Sequence, residues 1–145
     1  MGAVSAALAE GADFVYEDKT YKVHPCTYEV QAAFERYLEG YAIDTYYKLS
    51  RKMSVEDSDK MLAQLHRDIS MGFYSFGSKA VREALDSKVH LRHMVFLMLK
   101  KNHPEVTVEL VREMFDAQGD RLMLSVNLAN ADPNRQSPET KQPNG

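Results

Sequence analysis

Along the chain the hydrophobic positions change period once, close to Thr27. Before it, Phe14-Val15-Tyr16 and Thr20-Tyr21-Lys22-Val23 are short β-rich runs set around the polar Glu17-Asp18-Lys19. That pattern predicts a β-hairpin, although no Gly marks its turn. A hairpin of this size is marginal by itself and has to lie on another element. Pro25 ends it, and Thr27 is placed to N-cap the next element.

Beyond Thr27 the spacing is helical. A first helix is predicted from about Tyr28 to Ser50, with Val30, Phe34, Tyr37, Leu38 and Tyr41 recurring as one apolar stripe. Near Gly40 the stripe changes face, and Ile43, Tyr46 and Tyr47 fall on nearly the opposite side at about 100° per residue. One helix then serves either two packing surfaces or one packing surface and one partner surface. Ser54 opens a second helix, whose stripe is Val55, Met61, Leu62, Leu65 and Ile69. Gly72 and Gly77 bracket Phe73-Tyr74-Ser75-Phe76, an aromatic connection.

A short helix from about Ser78 to Asp86 precedes a stronger one from about Ser87 to Lys101. In the stronger helix Leu91, Met94, Val95, Met98 and Leu99 share a face, which Phe96 and Leu97 widen. A helix apolar nearly all round belongs at the centre of a fold. Asn102-His103-Pro104 stops it, because Pro cannot continue a helix and disfavours α geometry before it. Thr107 caps a helix carrying Leu110, Val111, Met114 and Phe115 that is expected to close at Gly119. A last helix, about Asp120 to Asn130, bears Leu122, Met123, Val126 and Leu128. The expected class is mainly α (α+β), an N-terminal β-hairpin followed by about five helices in one domain over 12–130. The flanks, 1–11 and 131–145, have no apolar period and read as a disordered lead and a disordered polar tail.

Composition narrows the chemistry. With 145 residues the chain can bury a core without covalent staples, and its single Cys excludes a disulfide framework and any Cys-based zinc site. No apolar run approaches the ~18 residues of a membrane span, and no secretory leader is recognisable, so a soluble intracellular protein is expected. The net charge of −3 hides a pattern: residues 1–78 carry −4, 79–103 carry +4 and 104–145 carry −3. A basic centre between acidic arms either neutralises itself within the fold or attracts an acidic partner.

Candidate chemistry is sparse. His90 and His93 sit three apart on the strong helix, but no Glu-x-x-His accompanies them, and they read as solvent-edge residues. His66 and His103 have no partner spacing. Cys26 follows His24-Pro25, yet the rigid Pro makes direct pairing awkward, so it reads as a half-buried thiol. Glu56, Asp57 and Asp59 lack the calcium-loop pattern and suit a helix N-terminus instead. Phosphate loops, nucleophile elbows and dinucleotide fingerprints are missing, so neither an enzyme nor a cofactor is expected. Sequence-specific nucleic-acid readout by the stretch 79–103 is not expected either, given a pI of 5.9 and an apolar helix. What remains is interaction: the aromatic residues that the stripes leave over are Ile43's neighbours Tyr46 and Tyr47, with Phe73, Tyr74 and Phe76. Those six, Ile43 included, are the candidate partner-binding residues, set against ordinary packing on a neighbouring helix.

The opening Phe14-Val15-Tyr16-Glu17-Asp18-Lys19-Thr20-Tyr21-Lys22-Val23 resembles the short hairpin that begins many tail assembly chaperones of long-tailed bacteriophages. The segment Leu91 to Asn130 is similar to their usual close: a hydrophobic helix, a Lys-Asn-x-Pro stop, a Thr-capped helix and a short last helix before a polar tail. The middle, 51–86, shares nothing with that pattern. The resemblance implies a non-catalytic role in the host cytoplasm, binding the long helical tape-measure protein and helping tail-tube protein assemble around it. It carries over no site residues, and a homo-oligomer is a further candidate partner. The alternatives are a structural virion component, such as a connector or baseplate protein, and a small nucleic-acid-associated regulator.

Overall fold

The computed structural model describes residues 11–131. The expected disordered lead and tail lie outside the described residues, save Gly11 and Ala131. Strands β1 (Ala12–Tyr16) and β2 (Lys19–Val23) are followed by α1 (Tyr28–Ser50), α2 (Val55–Ser70), α3 (Lys79–Leu85), α4 (Lys88–Asn102) and α5 (Val108–Asn130). The class is mainly α, with one two-stranded antiparallel sheet. The described residues divide into two compact units, one of residues 11–30 with 92–131 and one of residues 31–91. The divisions fall inside α1, after Val30, and inside α4, after Leu91.

In the first unit β1 and β2 pair in a single register, with Phe14 opposite Tyr21 and Tyr16 opposite Lys19. Lys19 thus belongs to β2, and the turn is only Glu17-Asp18. Both turn residues have left-handed backbone, φ 48° and 68°. That is the requirement of a type I′ turn, whose twist matches the strands it joins, and here it is met without Gly. Alternation buries Ala12, Phe14 and Tyr16 and leaves Asp13 and Val15 exposed. The buried face lies on α5, and Ser125 of α5 donates a hydrogen bond to the Asp13 carbonyl at 2.7 Å.

The end of α4 anchors β2. The His24 N–H donates to the Met98 carbonyl at 3.0 Å, and the Lys22 N–H donates to Nε2 of His103 at 2.8 Å. Asn102 donates to the Lys22 carbonyl, and the His103 ring stands edge-on to Tyr21 with centroids 5.2 Å apart. His103 is therefore a structural acceptor, with its proton on Nδ1 facing Glu105. Met94, Val95, Phe96, Met98 and Leu99 are all buried, as the all-round apolar pattern predicts for a central helix. Cys26 is half-buried, its N–H donating to Asn130 and its thiol against Met94.

α5 holds the expected break one residue early, at Gln118. Helical structure continues from Val108 to Asn130 across a kink at Gln118 (φ −143°, ψ 43°), and Gly119 does not adopt the left-handed backbone of a cap. Thr107 does cap the helix, accepting from the Leu110 N–H. Leu128, assigned to the core stripe, is 51% exposed, while Ser125 and Ala129 take the buried positions beside Leu122 and Val126.

In the second unit, Phe34, Leu38, Tyr46, Leu65 and Val81 are the buried apolar side chains. Ser54 caps α2 and Ser78 caps α3, each accepting from the N–H three residues on. Val55, expected on the apolar stripe of α2, is exposed, and Leu65 is the only buried residue of that helix. The aromatic connection is bracketed by Gly72 and Gly77 at positive φ. It is held by the Phe76 N–H donating to the Glu35 carboxylate at 2.6 Å, with the Phe76 ring edge-on to Phe34.

Candidate functional site

Within the second unit, α1, α2, α3, the aromatic connection and the start of α4 surround an open apolar groove of about 550 Å³. Its existence is explained by side-chain size. Ala42 of α1 and Ala80 and Ala84 of α3 are too short to fill the space between Leu38, Tyr46, Met61 and Leu65. Tyr41 and Tyr74 complete the aromatic lining, so the groove offers both flexible and rigid contact surface.

His90 enters the groove as half of a neutral pair. The Tyr37 hydroxyl and His90 Nδ1 are 2.8 Å apart, and the Tyr41 ring meets the imidazole edge-on with centroids 4.6 Å apart. Burial lowers the His90 pKa and raises that of Tyr37, with the Tyr41 hydroxyl adding to the latter. Both groups are therefore uncharged at neutral pH. His90, expected at the solvent edge, is half-buried: the period of α4 gives the direction of a side chain, and Tyr37 and Tyr41 of α1 cover part of it.

The charges of the groove are of one sign. Asp68 and Glu83 are its ionised residues, and no Lys or Arg contributes to the lining. Gln64 donates to Asp68 at 2.8 Å, and Lys79 stands 3.8 Å from Glu83 with both side chains exposed. The Tyr74 hydroxyl reports the same field, since burial first and then the Asp68 and Glu39 carboxylates raise its pKa. The result is an apolar floor, a neutral His–Tyr pair and an acidic rim. Such a surface desolvates an aliphatic ridge and favours a cation at its edge. Among the described residues no group of three or more His, Cys, Asp or Glu could hold a metal ion, and no helix is long and apolar enough to cross a membrane.

Of the six residues singled out from sequence, the groove brings together Tyr46 and Tyr74. Tyr46 is 7% exposed and forms the floor, whereas its neighbours Tyr47 and Ile43 are exposed at 58% and 37%. Ile43, Tyr46 and Tyr47 accordingly do not form one outward face, although the Tyr46 and Tyr47 rings touch edge-on at 5.1 Å. Phe73 is 50% exposed and edge-on to Tyr74, and Phe76 packs on Phe34. The sequence pattern places His90 at a solvent edge and Tyr37 on a packing stripe rather than at a site, and it does not mark the alanines of α3. For the alanines, the i, i+4 repeat of Ala80 and Ala84 is the signal that could have found them.

No protein-family model, curated protein or solved structure matches the chain.

Proposed function

We propose that this protein is a non-catalytic assembly chaperone of the phage-tail type, which binds a long helical client, the tape-measure protein, in the host cytoplasm and keeps it soluble while tail-tube protein assembles. The groove of the second unit carries this reading. Its volume lies in the range of recognised ligand sites, and its apolar floor with flexible Met61 and amphipathic tyrosines suits one face of an amphipathic helix. An open groove takes successive turns of a client by the same contacts, which fits a chaperone better than a binder of one unique sequence. The N-terminal hairpin and the closing helices α4 and α5 add support through the resemblance in order and spacing.

Co-expression with a tape-measure protein, followed by affinity capture, tests the proposal. Soluble capture of that protein, with this chain missing from purified particles, is the expected result. An insoluble client with this chain retained in the particle would replace the chaperone by a structural virion component.

A further inference from the structure

The first unit carries a feature that its own packing leaves unused. On α5 beyond the kink, Leu124 and Leu128 are 60% and 51% exposed, on the side away from the buried Leu122, Val126 and Ala129. Arg121 precedes them on the same face, since positions 121, 124 and 128 fall within about 60° of one another on a helix. The three make a ridge of two aliphatic side chains with a guanidinium at one end, about 10 Å long at 1.5 Å per residue. An exposed Leu pair four residues apart on a helix is the pattern that helix-in-groove docking reads.

Groove and ridge match in shape class and in charge. The groove has an apolar floor and ionised groups of negative sign only, Asp68 and Glu83. The ridge has aliphatic contacts and a positive end. We propose that the α5 ridge of one molecule docks in the groove of a second copy of this chain, with Leu124 and Leu128 on the floor formed by Leu65, Tyr46 and Ala84 and Arg121 at the acidic rim. The contact is heterologous: ridge and groove are different surfaces, so a bound pair still offers one free ridge and one free groove, and association continues beyond the dimer. Two leucines and an arginine bury less than a stable interface needs, so the contact is weak and dependent on concentration. It also occupies the groove assigned to the client, so that client binding and self-association exclude each other. The inference rests on the ridge, however, and is tested without any client.

Light scattering and sedimentation of the full chain alone, from about 10 to about 500 µM, read the association directly. The mass is expected to rise continuously above the 16.5 kDa of one chain. Leu124→Glu with Leu128→Glu removes the ridge. Ala84→Arg with Glu83→Lys fills and recharges the groove at the end of α3, where the helix dipole accepts cations. Each double variant, checked by circular dichroism for retained helix, is expected to weaken association at least ~10-fold. Mixed together, the two variants keep one intact ridge and one intact groove, and should form a dimer that stops at two chains. A wild-type mass constant at 16.5 kDa over the whole range would overturn the proposal. So would a mixture that fails to pair, or a ridge variant that still associates. Client capture by a wild-type chain that stays monomeric would leave the proposed function standing while this inference falls.

Discussion

Adding one methyl group at two glycines should move stability in opposite directions. Gly11 has φ +124°, and a Cβ built on it would collide with the Val23 carbonyl oxygen and lie 2.6 Å from its carbon. The contact is with backbone, so no side chain can swing aside. Fraying the strand end would relieve it, but Val23 is fully buried and the next residue, His24, donates to the Met98 carbonyl at 3.0 Å. Relief therefore exposes Val23 and gives up a hydrogen bond, in addition to the cost of holding Ala at positive φ. Together these put Gly11→Ala at about 3 kcal/mol of destabilisation. Gly40 sits inside α1 with nothing within 4 Å of the added carbon. There Gly→Ala gains only helix propensity, about 1 kcal/mol of stabilisation. Thermal unfolding measured by circular dichroism should show Gly40→Ala raised by about 3–5 °C and Gly11→Ala lowered by roughly three times as much. A Gly11→Ala variant that melts with the wild type would refute the described junction of β1, β2 and α4.

Local geometry sets three further outcomes. Replacing Glu17-Asp18 by Asn-Gly relieves left-handed backbone at both turn positions and should raise the urea midpoint by the equivalent of about 1 kcal/mol; an unchanged midpoint would mean the turn is not type I′. His90 has its pKa lowered by burial, so the unfolded chain binds the proton more readily. Its contribution to stability is full above the ordinary His value of 6.5 and is lost as pH falls through the window below it. The melting temperature should fall from pH 7.5 to pH 5 by more in the wild type than in His90→Phe, and equal slopes would contradict the half-buried placement against Tyr37. Ser125→Ala leaves the Asp13 carbonyl without its 2.7 Å donor and should cost about 1–2 kcal/mol by chemical denaturation.

Periodicity made the hairpin, the five helices and the apolar saturation of α4 legible, because each is a local pattern. It gave direction but not cover. Tyr46 and Tyr47 are adjacent, yet the first lines the groove floor and the second is surface, which depends on elements distant in the chain. His90 reads as a solvent-edge residue because the two tyrosines that partly cover it lie roughly fifty residues earlier, on α1. His103 had no motif to announce it, since what it accepts is a strand N–H rather than a side chain. The turn broke the Gly rule at Glu17 and Asp18, and its geometry is supported by the pairing of strands on a buried face. Leu128 lies past the kink together with Leu122 and Val126, and at about 100° per residue it falls well off their shared face, so the helical period itself turns it outward.

The groove is the centre of the functional proposal, and hydrogen exchange tests it most directly. Exchange would be measured with and without the soluble helical client, at a protein concentration where the chain alone is monomeric. Bound client should slow exchange in the lining segments of α1, α2 and α3, around Leu38–Tyr46, Met61–Asp68 and Ala80–Ala84. Protection confined to the hairpin and α5, with those three segments unchanged, would contradict it.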